Sequence, residues 1–141
     1  MKYLVTVRGT QADYDAQSGR TAGAGPVWTE DDLRAMYAYM GAINADLAGT
    51  GEFLDGNGLA EPARIRQVRA GADGGTVITD GPYGDTEVLM AGYWLLECAS
   101  LERVTEIAAR VTRCPVPEGA AEHPVEIRPV MDGDKDGAGD G

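Results

Sequence analysis

A chain of 141 residues is long enough for one domain around one core and too short for two. Its 23 acidic and 12 basic residues leave a formal net charge of −11, a field that repels phosphate backbones and anionic lipid, so neither direct nucleic-acid binding nor membrane association is expected. A hydrophobic content of 43% with 25% charged residues is ordinary for a soluble globular protein, while 20 glycines foretell many turns.

The chain opens on MKYLVTVRG, whose apolar stretch stops at Arg8, far short of an export signal or a membrane span. A cytoplasmic location is the resulting expectation, and in a reducing compartment Cys98 and Cys114 are expected to be free thiols in packing roles. Their spacing fits no metal or redox motif. Lys2 to Arg8, β-branched and apolar on both faces, predicts an interior strand. Residues 9–28 follow without any period and are expected to form a long loop: a lid, a partner contact or disorder.

Thr29 predicts a helix N-cap, with Asp32 completing a capping box and Glu30, Asp31 and Asp32 placed at the positive end of the helix dipole. Leu33, Met36, Tyr37, Met40, Ile43 and Leu47 then recur at helical spacing, a stripe read as core rather than as a cofactor site, and Gly49 or Gly51 ends the run. After Glu52 to Leu54 comes Asp55-Gly56-Asn57-Gly58, read as a tight turn. The strands Ala63 to Arg69 and Thr76 to Thr79, joined by Gly71-Ala72-Asp73-Gly74-Gly75, form a hairpin that Pro62 places toward the sheet edge.

Gly92 to Cys98 has no polar face and reads as a strand covered on both sides. Ser100 caps a second helix whose stripe is Leu101, Val104, Ile107, Ala108 and Val111, with Arg110 and Arg113 at its negative end and Pro115 beyond it. Val125 to Val130 is the last strand. This order is the split βαβ pattern, an α+β ferredoxin-like sandwich with an extra hairpin, in which the first strand and the strand before the second helix lie at the centre. The helices cover one sheet face. The other carries apolar side chains, and a homodimer closing two such faces together, a dimeric α/β barrel, is expected. Residues 1–130 make the single domain, with the long loop 9–28; residues 131–141 are expected to be a disordered acidic tail. Within that tail Asp132, Asp134 and Asp136 have the opening spacing of a calcium loop, but the closing Glu would fall beyond Gly141.

Three separated motifs carry a family resemblance: LDGNGL at Leu54 to Leu59, TDGPYGDTEVLMAGYWLLE at Thr79 to Glu97, and VEIRPV at Val125 to Val130. Together they resemble the YCII-related proteins of the DGPF-domain type, from Tyr3 through Val130. The resemblance implies a dimeric ferredoxin-like α/β barrel and a possible regulatory protein partner, since genes for such proteins often lie beside those of alternative sigma factors. It also implies, for some members, a His–Asp pair in a cleft between sheet and helices. The chain departs from the pattern at Tyr83, where Phe is usual, and at Glu87-Val88, where Lys-Glu is usual. Its one histidine, His123, stands on the linker before the last strand rather than in the first helix.

Asp80, held between a strand and Gly81-Pro82, can serve as a general base near a cleft or as the hydrogen-bond acceptor that fixes its own turn. Tyr83 as donor and Asp85 as acceptor can complete a polar ligand-binding pocket with it. Asp55 and Asn57 have the same ambiguity between a functional and a turn role, with turn chemistry the stronger explanation, and His123 reads as a solvated surface residue; no set of residues has metal-ligand spacing, and no cofactor is expected. Two functions follow as expectations: a small-ligand-binding or accessory regulatory module, or a small enzyme of lyase, isomerase or dehydrochlorinase type with Asp80 as base and Tyr83 as proton donor.

Overall fold

A computed structural model describes residues 1–20, 26–81 and 87–131. Among the described residues six strands and three helices follow one another as β1 (Lys2–Gly9), α1 (Gln11–Ser18), α2 (Glu30–Thr50), β2 (Phe53–Gly58), β3 (Arg66–Ala70), β4 (Thr76–Asp80), β5 (Leu89–Glu97), α3 (Leu101–Thr112) and β6 (Glu126–Pro129), with one 3-10 turn at Pro62–Arg64. Four strands form a sheet in the order β2-β5-β1-β6, every neighbouring pair antiparallel. The most apolar strands, β1 and β5, are thus central, as the ferredoxin-like pattern requires.

Alternation along these strands decides where the core sits. Tyr3 and Val5 on β1 stand beside Leu96 and Trp94 on β5, and all four are buried against Ile43 and Leu47 of α2 and Val104, Ile107, Ala108 and Val111 of α3. Leu4, Thr6, Tyr93 and Leu95, the alternate residues, belong to the other face. The capping residues perform as expected: Thr29 Oγ1 accepts from Asp32 N at 3.1 Å while Asp32 Oδ2 accepts from Thr29 N at 2.9 Å, and Ser100 Oγ accepts from Arg103 N at 3.1 Å. Gly51, at φ 81°, ends α2. The left-handed turn there needs glycine because a Cβ would meet the following carbonyl.

Three expectations are corrected. Residues 9–28 are not a featureless loop, because Gln11–Ser18 is helical behind a second capping box, Thr10 Oγ1 accepting from Asp13 N at 3.0 Å and Asp13 Oδ2 accepting from Thr10 N at 2.9 Å. Asp55 to Gly58 is not a tight turn but part of β2, paired with β5 through Gly58↔Gly92. The hairpin β3–β4 is not at the edge of the main sheet; it forms its own two-stranded ribbon with every residue exposed. The acidic tail from residue 132 lies outside the described residues.

Beyond apolar packing, the turn after α2 is clamped to α3. Arg103 donates to both carboxylate oxygens of Glu52, at 2.8 and 2.9 Å, and Thr50 Oγ1 donates at 2.7 Å. These bonds, against an opposing cost of burial, pull the Glu52 carboxyl from its ordinary value of 4.5 down to about 2. Since the folded value lies below the unfolded one, the stabilisation is complete above pH 4.5 and is lost as the pH falls toward 2. Glu52→Gln is therefore expected to cost about 1–2 kcal/mol at neutral pH, and to flatten the acid limb of the stability curve across that window. Urea denaturation at a series of pH values checks this; an acid limb parallel to that of the wild type would refute it.

Candidate functional site

The inner face of the sheet is bulky at one end and bare at the other. Where β1 ends and β5 begins, the register sets Val7 beside Gly92 and Gly92 beside Gly58, so two of three adjacent positions have no side chain. A Cβ on Gly58 would meet nothing within 4 Å. Helix α2 runs antiparallel to β1 and passes over both ends. Ile43 and Leu47 fill the bulky end, while Met36, Tyr37 and Met40, one and two turns earlier, overhang the bare one. The result is a cavity of about 690 Å³, within the usual range for small-molecule sites. The Met–Tyr stripe read as core is thus divided: Ile43 and Leu47 pack, Met36 and Tyr37 line a cavity, and Met40 does both.

Two side chains that lie 110 positions apart in sequence meet on the cavity wall. His123 Nε2 is 2.9 Å from Asp13 Oδ2, and both side chains are largely withdrawn from solvent, 17% and 27% exposed. This corrects the reading of His123 as a solvated residue. The reason is topological: β1 and β6 are antiparallel neighbours, so the segment just past the end of β1 lies beside the segment just before the start of β6. Asp13 follows the first by four residues and His123 precedes the second by three. A carboxylate can only accept, so in the neutral ring Nε2 carries the proton and Nδ1 the lone pair. Nδ1 has no hydrogen-bond partner among the described residues. The capping box fixes the carboxylate, because the same Oδ2 accepts from Thr10 N.

Neighbouring groups hold this wall in place. Tyr14 OH donates to Leu59 O at 2.9 Å and Ala91 O at 3.3 Å, tying α1 to the ends of β2 and β5. Burial, and then the charge of Glu61, raises the phenol's pKa and keeps it a donor. Trp94 Nε1 donates to Asn44 Oδ1 at 2.7 Å across the floor. Cys114 also lines the cavity; burial raises its thiol pKa, and both cysteines are free.

The residues singled out in the sequence fall elsewhere. Asp80 ends β4, opposite Arg66 on β3, and its two oxygens accept from Arg66 Nε at 2.6 Å and Nη2 at 3.2 Å. Its side chain is 62% exposed and is absent from the cavity lining. Tyr83 and Asp85 lie outside the described residues. Asp55 and Asn57 meet on Tyr93, whose hydroxyl donates to Asp55 Oδ2 at 2.9 Å and accepts from Asn57 Nδ2 at 3.2 Å. Among the described residues no three His, Cys, Asp or Glu side chains gather as metal ligands. Asp13 was the residue missed, and its signal was present: Thr10-Gln-Ala-Asp13 has the same capping-box spacing as Thr29-Glu-Asp-Asp32.

An uncharacterised protein of Rhizobium meliloti (strain 1021) is 26% identical over 108 residues, which span 73% of this chain and 79% of the relative. The YCII-related domain matches residues 1–132, nearly the whole chain and every element described above, and the protein therefore belongs to the YCII-related family.

Proposed function

We propose that the protein binds a small, largely apolar molecule in the cavity and that His123, oriented by Asp13, exchanges a proton with it. The observation that carries this reading is the 2.9 Å contact between His123 and Asp13 on the wall of a 690 Å³ cavity. A histidine with one nitrogen fixed by a carboxylate and the other left without a protein partner is arranged as a general acid or base. Asp80 is less suited to that task, being spent on Arg66 in open solvent.

The active species in this proposal is a homodimer. A two-stranded ribbon is marginal by itself, yet β3–β4 pairs Val68 with Ile78 on one face and sets Val77 beside Arg69 on the other, with Val68, Val77 and Ile78 exposed to 61%, 43% and 55%. Leu4 and Leu95 add apolar surface on the open side of the sheet. A second copy covering these surfaces removes the exposure.

Proton exchange is testable with para-nitrophenol, an apolar ring whose ionised form absorbs at longer wavelength. In buffer on the acid side of its own pKa, wild-type protein is expected to bind it and raise the ionised fraction, and His123→Ala to abolish that rise. Asp13→Ala should reduce it and also cost about 1 kcal/mol of stability through the lost cap. For any turnover that uses the pair, loss of His123 should cost about 10²-fold or more. Binding with no change in ionisation, or the same change in His123→Ala, would sink the acid–base role. The assembly is checked separately by sedimentation: wild type should run at twice the mass of its 14.8 kDa chain, and Val68→Lys with Ile78→Lys as a single chain. A wild-type monomer would overturn the dimer.

A further inference from the structure

A second polar group on the cavity has its direction fixed. Trp94, only 8% exposed, donates its indole N–H to Asn44 Oδ1 at 2.7 Å. An indole has a proton to give and no lone pair to accept one, so the amide cannot be turned the other way: its oxygen faces the ring and its Nδ2, with two protons, faces away. No group among the described residues accepts from Nδ2. Gly56 leaves room for this arrangement, since a Cβ there would lie 3.2 Å from Trp94 Cδ1, the ring atom bonded to Nε1, and would crowd the indole by a few tenths of an ångström. On the other side α2 is held by Ile43, fully buried and next to Asn44 in sequence. The indole side of the bond is buried, whereas Asn44 is itself exposed where it borders the cavity, so its Nδ2 meets water until a ligand replaces it.

We infer that Asn44 Nδ2 is a donor that orients the cavity's ligand, and that the ligand joins an apolar body to a carbonyl or comparable acceptor oxygen. This rests on the reading of the cavity as a small-molecule site. The apolar limit comes from Val7, Met36, Met40 and Val116, which offer a ligand no hydrogen bonds, so extra polar groups facing them would be desolvated without compensation. The acceptor comes from Asn44, whose preset donor loses little entropy on binding.

Acetophenone and α-methylstyrene test the inference, having nearly the same shape and ending in C=O and C=CH2 respectively. Each is titrated into wild type and Asn44→Asp and followed by NMR of the backbone amides and of the Asn44 side-chain NH2. The variant keeps an oxygen for Trp94 and replaces the donor with an acceptor. Asn44→Asp is expected to weaken acetophenone about fivefold or more while moving α-methylstyrene by less than about twofold. In wild type the Asn44 NH2 signals should shift with acetophenone and not with α-methylstyrene, a readout that stands even if the variant folds poorly. Equal weakening of both probes, or NH2 signals indifferent to the carbonyl, would overturn the role of Asn44 while leaving the cavity as a binding site. If neither probe perturbs the amides around Gly58 and Gly92, the cavity reading itself fails and the inference falls with it.

Discussion

The whole site depends on a mismatch between one long helix and the sheet beneath it. Helix α2 is a single stiff rod of 21 residues, and its height above the sheet is set where Ile43 and Leu47 rest on the packed end. It cannot bend down over the glycine end without a break in its hydrogen bonds, and its sequence offers no proline to make one. The gap under its first half is thus enforced by the packing under its second. Interiors normally close such voids because lost dispersion contacts are costly. Here the void opens to solvent and is walled by residues of β1, α1, α2, β2, β5 and the segment between α3 and β6, so it is a feature of the fold and not a packing defect.

The chemistry at the wall is a product of strand order. Asp13 and His123 sit outside the regular sheet, on segments that leave and enter it. In an antiparallel pair the exit of one strand and the entrance of the other share an edge, so a residue shortly after β1 and a residue shortly before β6 are neighbours whatever separates them in sequence. A capping box then does double duty. It starts α1, and it uses the same carboxylate oxygen that holds His123. The short helix is therefore less a connector than a mount for one carboxylate.

How much of this could be read beforehand depended on whether the signal was local. The three capping motifs at Thr10, Thr29 and Ser100 are local, and where they were used they placed the helices to within a residue; the one at Thr10 was passed over because α1 lacks an apolar stripe to follow it. The central placement of β1 and β5 was legible from their unbroken apolar character. Asp55-Gly56-Asn57-Gly58 misled for a definable reason: its composition is that of a turn, but neither glycine takes a positive φ, and Gly56 is there for space, wedged between Phe53 and Trp94. A glycine needed for close approach and a glycine needed for a left-handed turn look identical in a sequence. Nothing local to His123 signals its partner, but the ferredoxin-like order puts the last strand beside the first. That order sets the histidine, just before the last strand, near the start of α1.

The three contacts of α1 also explain why an eight-residue helix with no apolar face is stable at all. Helices of that length do not persist alone, because nucleation costs more than so few bonds return. Asp13 ties this one to His123, and Tyr14 ties it to the strand ends at Leu59 and Ala91. Gln11 ties it to the root of the hairpin, donating to Glu61 Oε1 at 2.9 Å and accepting from Ala63 N at 2.8 Å, with Arg20 bridging Asp15 and the same Glu61 oxygen. The helix folds only as part of this set, so its anchors are energetically coupled: loosening any of them weakens the rest. The hairpin root, the cavity wall and the His–Asp pair consequently share one support, and whatever steadies the exposed ribbon β3–β4 also steadies the carboxylate that orients the histidine.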